Sequence, residues 1–310
     1  MNEAALAPAE TIPDVLTTPH PVLRLRRRIL ITGAGGMLGS DLAPVLAGAG
    51  FEVFPRPRSD LDITKEADVA AAFHDVRPQV VVNCAAFTRV DDAETEPRAF
   101  EVNARGVQLL AEHCQRQSAQ LVQVSTDFVF DGEKGSPYQD DDVTHPLSAY
   151  GLGKREGEEA ALSAPSALLV RSSWLFGLGG WNFVEAIVKQ VESGKRLLTV
   201  VDDQRGRPTA TPDLSEGILA LLQAGAAGTY HFANRGEATW FDFAGEILAI
   251  TGETGVRIEP VASAALARPA RRPAYSVLDT TKYETATGRP IRHFREALAE
   301  YLSRRARPEA

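Results

Sequence analysis

Two hydrophobic periods alternate along this chain, and the switches between them mark its elements. Arg28-Ile-Leu-Ile-Thr32 is an unbroken, β-branched apolar run, the signature of a strand buried on both faces, and it passes through close-spaced glycines into Met37 to Ala47, where apolar residues recur at helical spacing. Pro44 should kink that helix or end it early. The pattern then predicts a strand over Phe51–Phe54, an amphipathic helix over Lys65–Val76 and a buried strand over Gln79–Asn83. A long helix over Asp91–Gln117, a strand over Gln120–Ser125, a helix over Ser148–Leu162 and a strand over Ala167–Ser172 continue the alternation. Strands and helices in this order imply an α/β fold: a doubly wound parallel sheet covered on both faces, with ligands outside the carboxyl ends of the strands.

Past Trp174 the pieces shorten. A helix is predicted over Asn182–Glu192, a strand over Leu197–Val201, a helix near Pro212–Gln223 and a strand over Gly228–Phe232, with further helices near Phe241–Thr251 and Phe294–Arg304. The polar stretches Asp202–Thr209 and Arg271–Asp279 read as a substrate-facing lid. Residues 1–26 are rich in Ala, Pro and Thr without periodicity and read as a flexible extension.

A net charge of −8 and a pI near 5.4 argue against nucleic acid as a partner, because phosphate backbones require a basic face. The one basic cluster, Arg24 with Arg26, Arg27 and Arg28, reads as a solvated linker. Cys84 and Cys114 give neither a disulfide framework nor metal-ligand spacing. No segment approaches about 18 apolar residues and no signal-peptide pattern opens the chain, so no membrane partner and a cytoplasmic location are expected.

Within that frame, three groups of residues carry chemistry. Gly33, Gly36 and Gly39, spaced G-x-x-G-x-x-G between strand and helix, allow a tight turn and close backbone approach to a pyrophosphate at a helix N-terminus. At the end of the second strand Arg56 and Arg58 stand where a ribose-binding carboxylate would favour NAD. They suit the 2′-phosphate of NADPH, or else merely cap a loop. Tyr150 and Lys154, four residues apart, share one helix face, where the ammonium, joined by the positive charge of an oxidised nicotinamide, should lower the phenol's pKa, and Thr126 ends a strand where it would orient a substrate oxygen.

These groups stand among others: Leu61-Asp-Ile-Thr64, Asn83-Cys-Ala-Ala-Phe-Thr88, Val90-Asp-Asp-Ala-Glu94, Ser125-Thr-Asp-Phe-Val-Phe-Asp-Gly132, Arg171-Ser-Ser-Trp174, and Arg272-Pro273 with Ser276. As a series from Ile29 to about Tyr283 they resemble the extended short-chain dehydrogenase/reductases, and within them the dTDP-4-dehydrorhamnose reductase family. The resemblance implies a Rossmann-like unit over 27–176 plus about 202–232, with a smaller C-terminal substrate-binding unit over about 177–201 plus 233–310. It implies that Gly36, Met37 and Leu38 cradle the pyrophosphate, that Asp62 and Ile63 contact the adenine, and that Ala85, Ala86 and Phe87 line the nicotinamide side. Thr126, Tyr150 and Lys154 would form the catalytic triad, with Asp127, Trp174, Asn182 and Arg272 as substrate contacts. Trp174 reads alternatively as core packing, and Arg272 as one half of a surface ion pair.

The activity implied is reduction of the C4 ketone of dTDP-4-dehydro-β-L-rhamnose by NADPH, with NADH as the alternative donor. Phe128 stands where the family usually has Tyr, Tyr275 where it has Asn, and Arg207 where a small residue is common, which leaves the exact sugar open. Some family members hold magnesium at a dimer contact near the position of Asp41; that lone aspartate leaves Mg2+ and a homodimer undecided. Phe128 after Asp127 speaks against a dehydratase, which needs an Asp-Glu pair there. Another nucleotide-sugar 4-ketoreductase, or a non-catalytic NADP-binding subunit resembling that of methionine adenosyltransferase, are the alternatives.

Overall fold

The computed structural model describes residues 27–306, so the expectation of a flexible extension over 1–26, with Arg24 and Arg26, falls outside the described residues. Its first half alternates strands with helices, one crossover holding two: β1 (Arg28–Thr32), α1 (Met37–Gly48), β2 (Glu52–Arg56), α2 (Glu66–Val76), β3 (Val80–Asn83), the short α3 (Pro97–Phe100), α4 (Gly106–Gln117), β4 (Gln120–Thr126), α5 (Ala149–Leu162) and β5 (Leu168–Ser172). After them come β6 (Leu175–Phe176), α6 (Phe183–Glu192), β7 (Leu197–Val201), β8 (Arg205–Gly206), β9 (Thr209–Ala210), α7 (Thr211–Gln223) and β10 (Gly228–His231). The chain closes with β11 (Ala238–Thr239), α8 (Trp240–Thr251), β12 (Arg257–Val261), α9 (Thr281–Thr287) and α10 (Phe294–Arg305).

Six strands form one parallel sheet in the order β10-β5-β4-β3-β1-β2. This is the Rossmann-like doubly wound arrangement, with its switch point between β1 and β3, and successive residues of each strand divide between two cores. Ile29, Ile31, Val80, Val82, Val122 and Val124 pack with Leu38, Leu42 and Leu46 of α1 and with Leu214 and Ile218 of α7. Leu30, Val81 and Leu121 face the other way, against Val69 and Phe73 of α2, Val107 and Leu110 of α4 and Ala161 of α5. A third core gathers Val184, Ile187, Leu198, Phe243, Ile247, Phe294 and Leu298 where α6, α8 and α10 cover the parallel pair β7–β12. Tyr283 and Ile291 pack with the sheet, so that stretch near the C-terminus belongs to the first core.

Several sequence expectations are corrected. Helix α1 runs through Pro44 to Gly48: both Pro44 and Ser40, whose carbonyl loses its i+4 partner, are exposed, so water solvates that oxygen while the buried leucines hold the helix together. The long helix does not begin at Asp91; Glu96 is extended before Pro97, and a π segment over Glu101–Arg105 separates α3 from α4. β2 reaches Arg56, tolerating Pro55 because it is the sheet's edge strand. Among the described residues no helix is long and apolar enough to cross a membrane.

Candidate active site

The glycine turn follows from β1. Gly33 has φ +63°, and a Cβ there would lie 2.5 Å from the Ala85 nitrogen; at Gly39 it would lie 2.6 Å from the Ala34 Cα. Both glycines are therefore required by the chain's own packing. Gly36 is different: an added Cβ would meet only the Gly33 carbonyl, at 3.4 Å. It is the N-cap of α1, which has no side-chain cap and no acidic residue in its first turn. This uncapped helix start with open space above Gly36 fits a pyrophosphate on the N–H groups of Met37 and Leu38. β2 ends beside the turn, the Arg56 carbonyl accepting from the Ala34 N–H at 3.1 Å, which sets the half-buried Arg56 next to the loop and leaves Arg58 exposed.

A buried polar chain fixes the ends of the neighbouring strands. Thr32 Oγ1 donates to Asn83 Oδ1 (2.5 Å), Asn83 Nδ2 to Gln123 Oε1 (2.8 Å), and Gln123 Nε2 to the Val124 carbonyl (2.7 Å). Asn83 Oδ1 also accepts from Ala85 N at 3.2 Å. One turn further out, Asn103 on the π segment clamps Phe87 from both sides, accepting from its N–H (2.9 Å) and donating to its carbonyl (3.0 Å). The Ala85–Phe87 loop is thereby held in place by Asn103, a residue to which the sequence reading assigns no role. Asp62 is fixed by Thr64 and by Arg98 (2.6 Å); these bonds overcome its burial and hold its carboxyl below the usual range. Ile63 is buried, against Gly106.

Beyond this lies a cavity of about 540 Å3 lined by Thr126, Asp127, Tyr150 and Trp174 among others. Ser148 caps α5 by accepting from Gly151 N (3.2 Å), and Gly151 lets the helix press on the Phe128 carbonyl, which an added Cβ would meet at 2.3 Å. That contact aims Tyr150 at the end of β4. Thr126 Oγ1 donates to Asp127 Oδ1 (3.1 Å) and accepts from Phe128 N (3.2 Å), while Ser276 donates to Asp127 Oδ2 (2.5 Å). Lys154 Nζ donates to the Val124 carbonyl at 2.7 Å. Glu158, one turn on, is held by Arg171 through bonds of 3.0 and 2.8 Å.

Burial dominates the titrations. It pushes the Tyr150 phenol up to about 12, with the Thr126 hydroxyl pulling down and the Asp127 charge adding to the rise. It brings Lys154 down to about 8 and raises Asp127 to about 6 against the bonds from Ser276 and Thr126. Without the nicotinamide charge that the expectation also invoked, the ammonium alone does not bring the phenol down: Tyr150 is a protonated acid at neutral pH. This is the form that a ketone reduction draws a proton from.

Trp174 lines the cavity and is not simple core. It adopts φ +48°, stacks on Trp240 with centroids 3.5 Å apart, and lies against Gly206, where a Cβ would sit 2.5 Å from its ring. Trp240 Nε1 donates to Gln204 (3.2 Å). Nothing local in the sequence marks Trp240, which meets Trp174 only in three dimensions. Arg272 lines the cavity too, but its fork grips Asp91 at 3.0 and 2.8 Å. Asn182 stands apart from that cavity's lining: it caps α6 by accepting from Glu185 N and donates to the Gly177 carbonyl (3.0 Å). Asp41 accepts from Thr211 Oγ1 at 2.6 Å, and among the described residues no three His, Cys, Asp or Glu side chains gather as a metal site.

Comparison with known proteins places this geometry in context. The family model described as RmlD substrate binding domain matches residues 27–307. The dTDP-4-dehydrorhamnose reductase of Streptomyces griseus is 45% identical over 291 residues, 91% of this chain and 94% of that protein. The dTDP-4-keto-6-deoxy-D-glucose reductase of Streptomyces niveus is 42% identical over 276 residues, 88% of this chain and 96% of that one. Among solved structures, the dTDP-4-dehydrorhamnose reductase of Bacillus anthracis str. Ames in complex with NADP superposes with a TM-score of 0.86 at 32% identity, covering 90% of this chain and 100% of that one.

Proposed function

The chain belongs to the RmlD substrate binding domain family, and from that membership we propose that it is an NADPH-dependent reductase of dTDP-4-dehydro-β-L-rhamnose, yielding dTDP-β-L-rhamnose. The observation that carries this is the convergence of Thr126 and Tyr150 on a cavity that Met37, the first residue of α1, also lines, with Lys154 buried one helical turn from Tyr150 on the Val124 carbonyl and with free space at the Gly36 turn that fits a pyrophosphate.

When bound, NADPH supplies the hydride that reaches the C4 carbon. Met37 and Leu38 hold its phosphates through their N–H groups, and Arg56 suits its 2′-phosphate. Lys154 keeps N–H donors beyond the one given to Val124 and turns them to the nicotinamide ribose. Thr126 swings its O–H from Asp127 to the ketone oxygen and polarises it, and Tyr150, protonated because it is buried, donates its proton to that oxygen as the carbonyl becomes an alcohol. Asp127 and Trp174 face the sugar nucleotide.

The test is loss of absorbance at about 340 nm when the protein and NADPH meet enzymatically generated dTDP-4-dehydrorhamnose, with Tyr150→Phe run beside it. A general acid contributes about 10²–10⁴-fold, so the variant should lose at least that much turnover while binding NADPH normally. Unchanged turnover in Tyr150→Phe would overturn the assignment. A second reading, a 4-ketoreductase of another dTDP-4-keto-6-deoxy sugar, is favoured by the S. niveus relative at nearly the same identity. Faster oxidation with dTDP-4-keto-6-deoxy-D-glucose would decide for it.

A further inference from the structure

Two arginines line the cavity beside Asp91, and they are not equivalent. Arg272 gives Nη1 and Nη2 to the two Asp91 oxygens and Nη1 also to the Ala270 carbonyl at 2.9 Å, with its side chain only 13% exposed. The Asp91 carboxyl, held low first by the Arg272 bond, stays charged and keeps that fork in place. It also receives the Ala270 N–H at 3.3 Å, so Arg272 and Asp91 together pin the 270–273 strap to the loop after β3. Arg268 approaches the same carboxylate no nearer than 3.8 Å, makes no hydrogen bond among the described residues, and keeps its side chain 53% exposed while lining the cavity. One carboxylate thus faces two guanidiniums and leaves one positive charge unmatched.

Resting on the sugar-nucleotide reading above, we propose that Arg268 is the residue that grips the diphosphate of the substrate, and that Arg272, with Asp91, is a positioning residue that pins the strap directly following Arg268. A guanidinium matches phosphate oxygens with two parallel N–H bonds, and a group tied only by a loose ion pair reorients toward a dianion without losing a hydrogen bond. Arg272 would have to abandon a bidentate, half-buried pair to do the same, leaving Asp91 with no close partner.

The experiment measures binding of dTDP and of thymidine, which has no phosphate, to the whole protein by calorimetry. In Arg268→Gln, dTDP affinity should fall about tenfold to a hundredfold, the worth of charge-assisted hydrogen bonds, with thymidine affinity unchanged. Arg268→Lys, keeping the charge but losing the fork, should recover part of the loss, and the salt dependence of dTDP binding should flatten only in Arg268→Gln. Arg272→Gln should lower the melting temperature and weaken both ligands together. If Arg268→Gln binds dTDP as the unaltered protein does, or if Arg272→Gln alone removes the preference for dTDP over thymidine, the assignment is overturned. An unaltered protein that prefers dTDP no more than thymidine overturns the sugar-nucleotide reading itself, and the role of Arg268 falls with it.

Discussion

Replacing Gly36 by alanine separates what the glycine turn does for the fold from what it does for a ligand. Gly36 sits at φ −89° and ψ 171°, an extended conformation open to any L-residue, and the added methyl would find nothing nearer than 3.4 Å. Fewer unfolded conformations favour the variant by about 0.4–1 kcal/mol, and exchanging glycine for alanine at an N-cap costs a comparable amount. The two nearly cancel, so the melting temperature should move by no more than about 2–4 °C. Binding is another matter, because the methyl stands over the N–H groups that would meet the pyrophosphate. Losing even one charge-assisted bond costs about 1.5–3 kcal/mol, roughly 10- to 100-fold in the NADPH dissociation constant. Gly33→Ala is the contrast. At φ +63°, with its Cβ 2.5 Å from a backbone nitrogen, it combines left-handed strain of about 1–2 kcal/mol with overpacking of about 1–3 kcal/mol, and should melt earlier with or without ligand. Thermal melts with and without NADPH, joined to calorimetric titration, read both quantities. Gly36→Ala binding NADPH as tightly as the unaltered protein, or melting as early as Gly33→Ala, would refute the reasoning.

Three further outcomes follow from the same geometry. Because burial raises the Asp127 carboxyl to about 6, its folded form holds a proton more tightly than the unfolded chain; the stability this adds is present below about pH 4 and lost as pH rises through 6. Asp127→Asn should therefore abolish that fall, at most about 3 kcal/mol, in urea melts between pH 4 and 8. His231 has the opposite sign: burial, with the Arg171 charge beside it, pushes it down to about 3, so its contribution is present above about pH 6.5 and lost as pH falls through 3. His231→Asn should flatten the acid limb, and a variant that remained as acid-labile would place the effect elsewhere. Gly206→Ala should push Trp174 off its stack on Trp240 and raise KM for the sugar nucleotide more than for NADPH in steady-state kinetics.

The parts of this molecule written in local sequence were legible, and the parts made by distant residues were not. β1 and β3 announce themselves because strands buried on both faces carry near-continuous apolar runs, and Tyr150 with Lys154 because one helical turn joins them. The break before Pro97 was obscured by the strong apolar period on either side of it, and the two-residue strands β6, β8, β9 and β11 exist only through partners elsewhere in the chain. The same holds within the site. Arg272 finds Asp91 across 181 positions, and Trp240 reaches Trp174 from the first turn of α8.

The state of Tyr150 in the protein without bound cofactor was hidden for a related reason. Spacing placed an ammonium near the phenol but said nothing of the burial around both, or of the Val124 carbonyl that takes the Lys154 donor. Desolvation acts on each group separately: it keeps the phenol protonated and makes the ammonium easier to neutralise, so the pair drifts toward two neutral groups rather than toward phenolate and ammonium. A buried acid of this kind gives up its proton only to a base stronger than water, and the oxygen of a ketone receiving a hydride is such a base at the moment of reduction. In the protein without bound cofactor, burial thus holds Tyr150 in the protonated form from which that proton is given.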